Sequence, residues 1–252
     1  MSRDTPVSEG PRPVALVTGA GGNLGTAVAL AFASAGYDLA LHRRGPSLAI
    51  LEVVQQTVRL GARARTVQAD LTQVAEIRRM FAAISDLQLD VLVNCAGTYP
   101  PADFLASTTE EWLTSYSLHV VAALTCIQQS VPLMPHGGSV INIASIAAHR
   151  SPADHGPYAA SKAALLSLTR SAAVALADRG IRVNAVSPGL VWREGLHSVW
   201  PDGFKSWQAR APLGSPISPD EVAATCVFLA QAGAITGQEF VVDAGVSVQA
   251  DY

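Results

Sequence analysis

The sequence has few cysteines, few charged residues and no long apolar run. Its three cysteines are far apart and form no Cys-x-x-Cys pair, so neither a disulfide framework nor a metal site is indicated. Charged residues make up 15% of the chain and the formal net charge is −3, which gives no reason to expect nucleic acid or a membrane as a partner. No run reaches the ~18 apolar residues that a membrane span needs. The few, scattered cysteines predict a protein of the reducing cytoplasm.

The N-terminal residues differ in composition from the rest of the 252-residue chain. Residues 1–12 carry charges and prolines and lack an apolar signal-peptide core, which predicts a flexible tail. Residues 13–252 suffice for a single α/β domain. Apolar residues make up 49% of the sequence, with many alanines and valines, as in a parallel sheet that helices bury on both faces.

Short apolar runs alternate with helical patterns throughout this domain. The order predicts a doubly wound parallel sheet in three layers, a Rossmann fold. Residues 110–131 are expected to form one long helix, and residues 190–219 an irregular insertion that contacts substrate. The predicted strands are 14–18, 37–41, 65–69, 91–94, 139–144, 182–187 and 239–243.

A glycine-rich turn follows the first predicted strand and opens the first helix. It runs from Thr18 to Gly25 and includes Gly19, Asn23 and Leu24. Glycines allow backbone N–H groups to approach a pyrophosphate, and the helix N-terminus attracts an anion. The order of strand, turn and helix favours dinucleotide binding over a plain tight turn.

The second strand ends in two arginines, Arg43 and Arg44. Folds that bind NAD usually place an acidic residue here to bind the ribose 2′-hydroxyl. A guanidinium instead suits a 2′-phosphate. The sequence therefore favours NADP(H) without excluding NAD(H); a solvated basic loop is the alternative.

Tyr158 and Lys162 stand four residues apart in a predicted helix, with Ser145 thirteen residues before the tyrosine. Residues at this spacing share one helix face. The charge of the lysine is expected to lower the phenol pKa, so that Tyr158 can exchange a proton with a carbonyl oxygen. A chance pair on a surface helix is the alternative for this spacing alone.

Together, these motifs resemble the short-chain dehydrogenase/reductase family over about residues 13–247. The resemblance implies that Tyr158 is the general acid–base, that Ser145 bonds the substrate oxygen, and that Lys162 also holds the nicotinamide ribose. It implies that the protein assembles as a homotetramer, with a dimer as the alternative. Further positions that the resemblance assigns to cofactor binding are Asp70, Leu71, Asn94, Ala96, Gly97, Pro188, Gly189 and Val191.

The chain departs from the family pattern at three places. Asn23 replaces the middle glycine of the turn, and Trp192 and Arg193 stand where a threonine usually contacts the nicotinamide amide. His119 occupies the position of an asparagine that is thought to anchor a water for a proton relay to the lysine. The histidine could keep this relay, break it, or simply pack in its helix.

The substrate is left open by the sequence. Trp192, Trp200 and Trp207 fall in the insertion and either line an apolar pocket or pack a lid or subunit interface. The leading interpretation is an NADP(H)-dependent ketone reductase, with 3-oxoacyl-thioester and pteridine reduction as variants. The alternatives are a non-catalytic dinucleotide-binding sensor or scaffold, and a dehydratase or epimerase that uses the same three residues.

Overall fold

The computed structural model describes residues 11–248, so the predicted tail lies almost entirely outside the described residues. Within this range seven strands form one parallel sheet in the order β3-β2-β1-β4-β5-β6-β7. The strands are β1 Val14–Val17, β2 Asp38–Arg43, β3 Ala64–Gln68, β4 Val91–Asn94, β5 Gly138–Ile143, β6 Ile181–Pro188 and β7 Glu239–Val242. The predicted doubly wound sheet is confirmed, and its order reverses between β1 and β4, where such folds bind ligands.

Nine α-helices in the described residues connect and cover the strands. They are α1 Asn23–Ser34, α2 Leu48–Arg59, α3 Val74–Ala82, α4 Thr109–Tyr116, α5 Ala122–Ser130, α6 Gly156–Ala175, α7 Leu196–Val199, α8 Pro201–Arg210 and α9 Pro219–Gln231. None of the helices in residues 11–248 is long and apolar enough to cross a membrane.

The sheet separates two apolar cores, because successive side chains of a strand point to opposite faces. In β1, Val17 packs with the helices α1, α2 and α9, whereas its neighbour Leu16 packs with α3 and α5. Both side chains are fully buried. This two-sided burial explains why the strands are continuous apolar runs, and it leaves their carboxyl ends free to build a site.

Of two predictions about local structure, one is confirmed in its extent and the other was wrong. The expected helix over 110–131 runs without a break as α4 and α5, which a π-helical segment, Ser117–Val121, joins. The insertion at 190–219 is not irregular, because it contains the helices α7 and α8. The helix α9, in contrast, begins at the predicted cap, where Ser218 and Glu221 form a capping box.

Candidate functional site

The glycine turn lies at the carboxyl end of β1, and two of its glycines cannot be replaced without displacing backbone. A Cβ at Gly25 would lie 2.1 Å from the Gly19 oxygen. Gly19 itself has φ of +69°, and its added Cβ would lie 2.9 Å from the Ala96 Cα. The turn therefore holds the start of α1 close to the segment after β4, with Asn23 and Leu24 in the first turn of the helix.

Two side chains that the sequence reasoning did not single out as site residues fix this turn. The hydroxyl of Thr18 accepts hydrogen bonds from the N–H groups of Cys95 (2.9 Å) and Ala96 (3.1 Å). His42, 2% exposed in β2, accepts one from Gly19 N–H at Nδ1 (3.0 Å). A histidine inside an otherwise apolar strand was the sequence signal for this second contact.

The end of β2 carries the expected positive charge. Arg43 has a buried guanidinium nitrogen, Nη1, for which the described residues offer no hydrogen-bond partner. Arg44 is exposed, and its charge contributes to lowering the pKa of Asp70, after the hydrogen bonds from Thr72 to that carboxylate. A buried, unpartnered cationic nitrogen carries a desolvation penalty that an anion would relieve. These residues fit a phosphate group on the adenosine ribose.

The remaining predicted cofactor positions lie along the same edge of the sheet. Asn94 donates to Asn142 Oδ1 (2.9 Å), which ties β4 to β5. Leu71 is 5% exposed and its side chain belongs to one of the apolar cores. The turn after β6 approaches Asp243 and Trp207 so closely that a Cβ at Gly189 would lie 2.9 Å from each.

Ser145, Tyr158 and Lys162 come together at the carboxyl end of β5. Ser145 caps a short 3₁₀ turn, and a hydrogen bond joins its side chain to that of Tyr158. Lys162 is 5% exposed; its Nζ donates to Ile143 O (2.7 Å) and lies 5.5 Å from the centre of the Tyr158 ring. The predicted grouping of these three side chains is thus present.

The expected direction of the Tyr158 pKa was wrong. Burial raises the pKa of Tyr158, and the hydrogen bond with Ser145 is the influence that lowers it. Burial also lowers the pKa of Lys162 to about 8. Desolvation disfavours the charged form of both groups and is the largest influence on each. The phenol is therefore held in the form that can donate a proton.

An aromatic wall borders Tyr158. The ring of Tyr99 stacks on His155, with 3.7 Å between centroids, and meets the Tyr158 ring edge to face at 4.7 Å. Burial and the charge of Asp154 raise the pKa of Tyr99 to about 12, so its phenol stays protonated. Tyr99 lies in the loop after β4, and His155 directly precedes α6.

The three tryptophans of the insertion have different environments. Trp207 is 9% exposed and belongs to the apolar core, so it packs a helix onto the domain. Trp200 directly precedes α8 and packs its ring against Gly203 of that helix. Trp192 is 40% exposed, and its backbone carbonyl accepts a hydrogen bond from Asn23 Nδ2 (2.9 Å). Of the three, Trp192 is the one tied to the glycine turn.

The fold and the site together define an oxidoreductase that binds a nicotinamide dinucleotide. A family model described as enoyl-(acyl carrier protein) reductase matches residues 19–247. A 3-oxoacyl-(acyl-carrier-protein) reductase of Synechocystis sp. is 33% identical over 240 residues, covering 92% of this chain and 96% of its own. The chain belongs to the short-chain dehydrogenase/reductase family.

Solved structures agree with this assignment. The L-sorbose reductase of Gluconobacter frateurii, complexed with NADPH and L-sorbose, matches with a TM-score of 0.89 and 27% identity over 95% of this chain and 98% of that one. A blue fluorescent protein from a metagenomic library, in complex with NADPH, matches with a TM-score of 0.87 and 31% identity over 93% and 98%.

Proposed function

We propose that this protein reduces a ketone with NADPH and that Tyr158 donates the proton to the carbonyl oxygen. The observation that carries the proposal is the grouping of Ser145, Tyr158 and the buried Lys162 at the same sheet edge as the glycine turn. The cofactor, when bound, supplies the hydride. The protein then has to orient the carbonyl and supply one proton.

Each of the three residues has a role in this proposal. Ser145 bonds the carbonyl oxygen and holds it at the phenol. Tyr158 donates its proton as negative charge develops on that oxygen, because burial keeps the phenol protonated. Lys162, when charged, stabilises the resulting phenolate from beneath the ring.

The preference for NADP(H) over NAD(H) is proposed from the arginines at the end of β2. Arg43 would hold a 2′-phosphate through its buried, unpartnered nitrogen. Arg44, which is exposed, would add a weaker and salt-sensitive attraction. Two of the similar solved structures contain NADPH, which supports the same choice.

A 3-oxoacyl thioester is the second candidate substrate. The similarity to the Synechocystis reductase favours it. Purified protein would be assayed for NADPH oxidation with simple ketones, a 3-oxoacyl thioester and a dihydropteridine, beside a Tyr158→Phe variant. Turnover with a ketone or thioester that the variant lacks would support the proposal. Tight NADPH binding without turnover on any substrate would refute it and favour a binding protein.

A further inference from the structure

His119 lies at the centre of the π-helical segment between α4 and α5 and points into the candidate catalytic group. The residue is 2% exposed, and its ring centre lies 5.4 Å from that of Tyr158, at an interplanar angle of 88°. Single π-turns within α-helices commonly occur at functional positions. The contacts of the imidazole therefore bear on how Tyr158 is held.

The hydrogen bonds around the imidazole fix the position of its proton. The backbone N–H of Thr98 donates to Nε2 (3.2 Å), so Nε2 carries a lone pair and the proton is on Nδ1. Nδ1 lies 2.8 Å from Ser161 Oγ, and the hydroxyl of Ser161 donates to the Tyr158 carbonyl (2.7 Å). Because this hydroxyl has a single proton, Ser161 accepts from His119. The hydrogen bonds therefore all run in one direction, from the Thr98 N–H through His119 and Ser161 to the backbone carbonyl of Tyr158.

The surroundings of His119 oppose its protonation. The ionisable groups that face the ring are Lys162 and Tyr158 on α6, while the loop after β4 faces it with backbone atoms of Gly97 and Thr98. Burial and the charge of Lys162 lower the pKa of His119 to about 3. Both ring nitrogens are already occupied, so neither can exchange a proton with Lys162.

We propose that His119 is a positioning residue that acts as a permanently neutral imidazole and holds Tyr158 through Ser161. It joins the loop after β4, through Thr98, to the first turn of the catalytic helix. This inference rests on the proposed function, because positioning matters only if Tyr158 transfers a proton. It also excludes the side chain of His119 as a proton carrier.

Graded substitutions at position 119 test the positioning role. His119→Asn keeps an N–H near the place of Nδ1 and so preserves the bond to Ser161, whereas His119→Leu removes both bonds. We expect His119→Leu to lower kcat for ketone reduction about tenfold or more, with the KM for NADPH changed less than about twofold. His119→Asn should recover most of the lost kcat and leave the pH profile unshifted. His136→Leu, at an exposed position, serves as the control.

A double-mutant cycle separates positioning from general destabilisation. If His119 acts through Ser161, the variant carrying both His119→Leu and Ser161→Ala should have the kcat of His119→Leu alone. Penalties that multiply would overturn the inference, as would a pH profile that shifts in His119→Asn. An inactive wild-type protein would instead refute the proposed function, and with it the catalytic reason for this positioning.

A spectroscopic measurement on the wild-type protein covers the case in which a variant does not fold. Long-range ¹⁵N NMR of protein labelled at histidine reports which ring nitrogen carries the proton. We expect a pyrrole-type signal at Nδ1 and a pyridine-type signal at Nε2 of His119, both unchanged from pH 8 to pH 5. The His119→Asn spectrum assigns them. A signal that titrates in this range, or the opposite tautomer, would overturn the proposal.

Discussion

The proposed contact with a 2′-phosphate predicts that replacement of Arg43 by alanine weakens NADPH binding but not NADH binding. In the structure, Nη1 of Arg43 is buried and unpartnered, so its hydrogen bond to a 2′-phosphate would form in a partly desolvated place. A hydrogen bond to a charged group contributes about 1.5–3 kcal/mol. Since each 1.4 kcal/mol is about tenfold in affinity, the Kd for NADPH should rise by about 10- to 150-fold.

The same reasoning predicts what should not change. NADH has no 2′-phosphate, so its Kd should stay within about twofold in Arg43→Ala. Arg44→Ala should raise the Kd for NADPH only a few-fold, and less at high salt, because Arg44 is exposed. Arg59→Ala, at an exposed position in the last turn of α2, is a matched control. Calorimetric titration of both cofactors checks these values; equal losses for NADPH and NADH, or none, would refute the phosphate contact.

Three further changes test other parts of the site. Because burial lowers the pKa of Lys162 to about 8, the lysine is charged below that pH and neutral above it, so kcat/KM for ketone reduction should fall above about pH 8; a flat profile would contradict this. Gly25→Ala should weaken NADPH binding more than about tenfold, since the new Cβ would lie 2.1 Å from Gly19 O. Gly233→Ala should leave NADPH binding unchanged, because a Cβ at Gly233 would have no neighbouring atom within 4 Å. Thr18→Val leaves the Ala96 N–H without its acceptor, while the Cys95 N–H keeps Val93 O, and should cost about 1–2 kcal/mol in urea unfolding; an unchanged midpoint would contradict this.

The sequence predicted the sheet and the candidate catalytic group because both depend on short-range patterns. Apolar runs mark strands that are buried on two faces, and the spacing from Tyr158 to Lys162 fixes one helix face. The direction of the Tyr158 pKa was mispredicted because its largest cause is burial, a property of the whole fold that local spacing does not reveal.

Other features depend on distant partners and left little trace in the sequence. The π-turn around His119 adds one residue to a helix whose periodicity otherwise continues. The bond from Gly19 to His42 spans 23 residues, and the bond from Asn23 to Trp192 spans 169. Residue patterns predict which side chains are candidates, but not which of them meet.

In the proposed reaction, Tyr158 gives a proton to the carbonyl oxygen while the carbonyl carbon receives a hydride. Its most direct test is reduction of a ketone with NADPH deuterated at the transferred position, followed by mass spectrometry of the alcohol. The account predicts one deuterium on the carbinol carbon with the wild-type protein. With Tyr158→Phe it predicts labelling lower by about 10²- to 10⁴-fold and NADPH affinity unchanged. Equal labelling by both proteins would contradict it.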